Sequence, residues 1–146
     1  MENPTGRMLR EIYKEAKSGC ETICCITSKI RDKRWITETA RQMEMYADCT
    51  ARAEQMLQDK ELGEATFSMR DRLSVRGGVL LETMDATEQA LTDLLQISFR
   101  DSAVRMRNTV ARFAERECDA DALALGQRLA AFEAAEADRL RQMSCE

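Results

Sequence analysis

Two glutamates sit where a helix should be apolar. Near the C-terminal end, Ala122, Leu125, Leu129, Phe132, Leu140 and Met143 recur at helical spacing. At about 100° per residue, Glu136 falls in the middle of that stripe and Glu133 on its edge. A carboxylate on a core face is costly unless it is paired. The helical stretch before it carries possible partners, because its stripe of Leu91, Leu94, Leu95 and Phe113 also takes in Thr87, Ser98, Ser102, Arg105 and Thr109. Counting back from a turn at Cys118 sets Arg105 level with Leu129 to Glu133, and Glu136 level with Ser98 to Asp101. The expectation is an internal polar cluster of Arg105, Glu133 and Glu136, with Ser98 and Ser102 supplying hydroxyls. The alternative puts both glutamates and Arg105 at the rim, with their heads in water. Even a buried ion pair can serve only to fix helix register.

Cysteine is the other reactive residue type, at positions 20, 24, 25, 49, 118 and 145. Cys20 and Cys24 share one flank of a helix, and Cys49 lies at a similar height on the next. Three converging thiols could hold a soft metal. Zinc usually wants a fourth ligand and often a CxxC pair, and the chain has neither CxxC nor any histidine. Packing as small hydrophobes is the expected role. Cys118 could be a reactive thiol, but Glu115, Glu117, Asp119 and Asp121 should hold its proton on. Without histidine there is no triad and no imidazole base. The Gly77–Gly78 pair matches neither phosphate-binding fingerprint, and no cofactor is expected.

These residues must be positioned by helices. The 146 residues suit one domain. Proline occurs once, glycine is scarce, and no run of alternating β-branched residues appears, so the fold class is all-α. The net charge of −4 is spread along every segment. No basic cluster suggests nucleic acid, and no apolar run is long enough for a membrane span. With no signal-type start, a cytoplasmic location and free thiols are the default expectation.

The first helix is predicted over about 5–31, capped by Thr5, with Leu9, Ile12, Ala16, Gly19, Ile23, Ile26 and Ile30 inward. The second, over about 35–58, buries Ile36, Ala40, Met43, Ala47 or Tyr46, Thr50, Ala53 and Leu57. A crossover helix over about 64–84 carries Phe67, Met69, Leu73, Leu80, Leu81 and Met84. Two more helices follow over about 87–115 and 119–143, with Asp119 as N-cap of the last. Hairpin, long crossover and hairpin make a four-helix bundle of one-crossover, ferritin-like topology. The alternative fuses crossover and third bundle helix into one helix of about 50 residues. Met43, Met56, Met69 and Met84 either form an adaptable binding surface or, the commoner case, fill core.

The segments MLREIYKEAKSGCETI, ETARQMEMYADCTARAEQML and LALGQRLAAFEAAEADRLRQM resemble an uncharacterised family of small bacterial proteins grouped with the ferritin-like bundles. The resemblance implies the bundle topology and no activity. Di-iron members of that fold use a glutamate on two helices and Glu-x-x-His on two others. Here Glu133-x-x-Glu136 has glutamate in the histidine place, the first helix has no glutamate on its stripe, and Glu44 and Glu54 are off-centre. The expected function is therefore non-enzymatic: a structural or partner-binding bundle, as a homo-oligomer or with another protein. The alternatives are a ferritin-like metal-binding or oxidase protein using carboxylates, and a thiol-based redox protein.

Overall fold

A computed structural model describes residues 3–145, and among them are five helices and no strand. Helix α1 is Pro4–Thr27, α2 Lys33–Asp59, α3 Met69–Thr83, α4 Glu88–Ala114 and α5 Ala120–Ser144. The order follows the expected one, with some boundaries moved by local chemistry. Asn3, not Thr5, caps α1: its side chain accepts from the Thr5 and Gly6 amides at 2.8 and 3.4 Å. Pro4 takes the first helical position, where no amide donor is needed. Thr5 is buried and used differently, its hydroxyl accepting from the Asp119 amide at 2.9 Å. Asp119 stands at the N-cap of α5 without a side-chain capping bond, its carboxylate being taken by Lys60 at 2.8 Å. The expected start of α3 near 64 moves to Met69 because Ser68 and Asp71 close a reciprocal capping box there. Thr87, whose hydroxyl accepts from the Ala90 amide at 3.1 Å, starts α4 separately and rules out one fused helix.

Contacts between helix ends fix their directions. Thr5 meets Asp119, and Arg10 donates to the Leu62 carbonyl at 2.9 Å, so the starts of α1 and α5 share an end with the close of α2. At the other end, Lys29 donates to the Thr83 hydroxyl at 2.9 Å. There too, Glu88 accepts from the amides of Arg31 and Asp32 at 2.6 and 3.0 Å. Helices α1, α3 and α5 thus run one way, and α2 and α4 the other. The most extensive pairings are α1 with α2 and α4 with α5, while α3 lies along α1.

The core lies between α1, α2, α4 and α5. Leu9, Ile12, Ala16, Ile23, Ile26 and Ile30 are buried as their spacing predicts, and each large aliphatic contributes roughly 2 kcal/mol. The α2 stripe is corrected by one position over its first half, where Trp35, Thr39 and Gln42 are buried while Ile36 and Ala40 are exposed; Tyr46, Thr50, Ala53 and Leu57 are buried as expected, with Cys49 beside them. The α4 stripe shifts likewise, to Leu95, Phe99, Ser102, Met106, Val110 and Phe113. Its face is less polar than expected, because Phe99 and Met106 fill the places assigned to Ser98 and Arg105. Core filling is also corrected for Met69 and Met84, which are exposed. Thr83 is the only α3 residue classed as buried.

Gly19 marks a close crossing of α1 with α2. A Cβ there would stand 2.5 Å from Cζ of Tyr46, a ring that is itself packed. Gly19→Ala is expected to destabilise the fold by about 1–3 kcal/mol, despite the better helix propensity of alanine. Gly78→Ala, where the new Cβ meets nothing within 4 Å, should instead firm α3 by about 1 kcal/mol. Thermal denaturation and amide exchange of the two variants check the contrast.

Candidate functional site

Glu133 and Glu136 are both buried, one turn apart on α5, and they meet different partners. Glu133 has no exposed surface. Its Oε2 accepts from the Tyr46 hydroxyl at 2.8 Å, and its Oε1 has no hydrogen-bond partner among the described residues. Tyr46 comes from α2, stacks parallel to Phe99 of α4 at 5.9 Å and meets Phe132 of α5 edge-on at 5.3 Å. Burial first, then the charge of Glu15, pushes the Glu133 carboxyl up to about 8. The Tyr46 hydroxyl, the Arg105 charge and the Ser102 hydroxyl pull the other way without offsetting burial. Burial and the neighbouring Glu133 also raise Tyr46 well above a free phenol, so it keeps the proton it donates. At neutral pH the pair is a protonated acid against a phenol, which avoids an uncompensated buried charge.

Glu136 faces α2. Arg41 Nη2 donates to both its oxygens at 2.6 Å, and Gln42 Nε2 donates to Oε2 at 2.9 Å. The same Nη2 reaches Glu38 at 3.0 Å, and Arg139 of α5 clamps Glu38 through Nε and Nη2 at 2.9 and 2.8 Å. Hydrogen bonding to Glu136 raises Arg41, and that from Arg139 lowers Glu38, so both keep their charges. Two carboxylates and two guanidiniums knit α2 to α5 in one network.

The expected five-residue cluster therefore divides. Ser102 is buried and Arg105 Nη2 donates to it at 2.9 Å, but Arg105 itself is exposed and pairs with Glu15 of α1 at 3.1 Å. Ser98 is half-buried and lines a surface groove with Val75, Val79, Asp101 and Arg105. Arg41, not Arg105, is the partner of Glu136. Arg41 and Gln42 were missed because the start of the α2 stripe was phased on Ile36 and Ala40, which left Tyr46 an alternative to Ala47. A Gln and a Tyr at helical spacing from Ala53 and Leu57 were the available signal.

The two buried glutamates are poor donors for a metal. Both Glu136 oxygens face a guanidinium, and Glu133 holds a proton. Cys20 is half-buried, Cys24 exposed and Cys49 buried, and no group of three or more His, Cys, Asp or Glu is placed to hold a metal ion among the described residues. Burial pushes the Cys49 thiol up to about 12, and also raises Cys20, Cys25 and Cys118. Such thiols are weak nucleophiles at neutral pH.

The surface holds a second unusual feature. Met69, Leu73, Leu80, Leu81 and Met84 are between 50% and 78% exposed. They share α3 with Val75 and Val79, which are half-buried, and Thr83, which is buried. No helix is long and apolar enough to cross a membrane among the described residues. No protein family, characterised protein or solved structure matches the chain.

The Glu133 proton sets a pH dependence. Below about 4.5, folded and unfolded chains both carry it and burial exacts no charge penalty. Between 4.5 and about 8 the unfolded chain ionises while the folded one does not, so stability falls as pH rises; above 8 the loss is complete. Denaturant titrations are expected to show a loss of up to about 4 kcal/mol across that window, absent in Glu133→Gln, which should be the more stable protein at pH 8. The chain has no histidine to obscure it. A second comparison separates the two ends of the ion pair. Arg41→Leu strands a buried carboxylate and should cost about 3 kcal/mol. Glu136→Leu leaves an arginine that is 41% exposed and still bonded to Glu38, and should cost less than half as much on the same chemical-denaturation assay.

Proposed function

We infer that this protein is a non-enzymatic, partner-binding bundle of ferritin-like topology, whose working surface is the outward face of α3. Two antiparallel hairpins joined by a crossover that follows α1 support the topology. The interior supports a structural rather than catalytic role, since Arg41, Gln42 and Tyr46 spend donors on Glu136 and Glu133 and so hold α2 on α5, with Glu133 Oε1 left unpartnered among the described residues. The observation that carries the reading is the row Met69, Leu73, Leu80, Leu81 and Met84, directed into solvent by a helix whose other side is already packed. Contiguous exposed apolar surface of this kind marks docking sites, and methionine at its ends makes such a surface adaptable.

Methionine oxidation inside cells tests it. Met69 and Met84 should oxidise several-fold more slowly in the wild-type protein than in a Leu73→Asp variant, whose face is disabled while the core is untouched. Buried Met8 and Met106 serve as the unreactive reference. Equal oxidation of Met69 and Met84 in both proteins would show the face standing open and would end this assignment.

A further inference from the structure

We propose that the outward face of α3 is a homodimer seam, in which two copies cross antiparallel at Gly77. This rests on the docking role just inferred and names the occupant. The first support is self-complementarity. Met69 and Leu73 have the same spacing as Leu80 and Met84, so the order Met, Leu, Leu, Met reads alike in both directions. A two-fold interface needs a patch that matches its own rotated image. With the axis between Arg76 and Gly77, Met69 meets the partner's Met84 and Leu73 the partner's Leu80.

The second support is Gly77. It lies in mid-helix, where glycine costs about 1 kcal/mol relative to alanine. Its φ is not positive, and an added Cβ would meet nothing within 4 Å. Nothing within this chain requires a glycine there. A second helix crossing at the centre of the row would, because the missing Cβ lets two backbones approach.

Charge selects the direction. Arg70 and Asp85 border the row on one flank, at opposite ends, and both are exposed. An antiparallel pair sets each Arg70 beside the partner's Asp85, twice, by symmetry. A parallel pair would leave Arg70 and the partner's Asp85 at opposite ends of the seam, where they could not meet. Arg76, also near the axis, is turned onto Glu21 of its own chain at 2.8 Å. The five side chains expose on the order of 500 Å² per copy, so a pair buries about 1,000 Å², the lower bound for a specific interface. Interfaces at that bound are weak and reversible; area alone does not fix affinity, and the dimer is expected to have a dissociation constant on the order of 10 µM.

Sedimentation equilibrium of the purified full chain decides it. The wild type should pass from monomer to dimer around that concentration. Arg70→Glu should weaken the dimer about tenfold, and adding Asp85→Arg to it should restore wild-type association. Gly77→Leu, whose added Cβ meets nothing within 4 Å in the monomer, should abolish it. A wild type still monomeric at about ten times that concentration overturns the proposal, as does a charge swap that fails to rescue. If the purified chain is monomeric while Met69 and Met84 stay protected in cells, the seam is refuted and the docking role stands with a different protein as partner; if protection is absent as well, both fail.

Discussion

A phenol from α2 donating to a carboxyl sealed inside α5 is the contact around which the interior is arranged. Tyr46 can reach Glu133 only because α1 offers Gly19 where its ring passes. It stays in place because Phe99 of α4 and Phe132 of α5 flank it. Every helix that lines the core therefore contributes to seating one hydroxyl. In a low-dielectric interior that hydrogen bond is strong, and breaking it leaves polar atoms with nowhere to turn. Alternative slippages of the helices forfeit it entirely.

One turn along α5, the Glu136 contacts apply the same logic with full charges. The pairing of Arg41 with Glu136 returns little more than the desolvation it demands. Its effect is on specificity, since α2 displaced by a turn would bury a carboxylate against aliphatic side chains. The network reaches solvent through Arg139 and Arg41, both substantially exposed. That exposure moderates the electrostatic strain while leaving the carboxylate ends fixed. The interior is thus polar for reasons of alignment, and the apolar surface that would ordinarily be hidden lies instead on α3.

Much of this was legible in the residues. Helix α1 was phased correctly because Leu and Ile recur without interruption. Glu133 and Glu136 stood out because acids in an apolar stripe violate the pattern. Helix α2 was misphased because Thr39 and Gln42 hold core positions that composition assigns to solvent, while Ile36 points outward. That one error hid Arg41 and Gln42 together and left Tyr46 undecided against Ala47. Matching α5 to α4 by counting from their shared turn then offered Arg105, since pairings across sequence-distant helices cannot be counted from a turn. For α3 the helix was legible and its outer face was not. Hydrophobic spacing reports that one side is apolar and is silent on whether anything covers it.

The attachment of α3 has a broader consequence. It is held along α1, chiefly by Val75, Val79, Thr83 and the paired arginines on Glu21, between an extended stretch and a short turn. Its inner side packs on the core through Val79, while Met69, Leu73, Leu80, Leu81 and Met84 stand at least half exposed. Drift on its outer side is therefore loosely coupled to foldability: those positions can be rewritten residue by residue while Val79, Thr83 and the Glu21 pairs keep the helix on its rods. A scaffold built this way can diversify what it recognises at almost no risk to its own architecture.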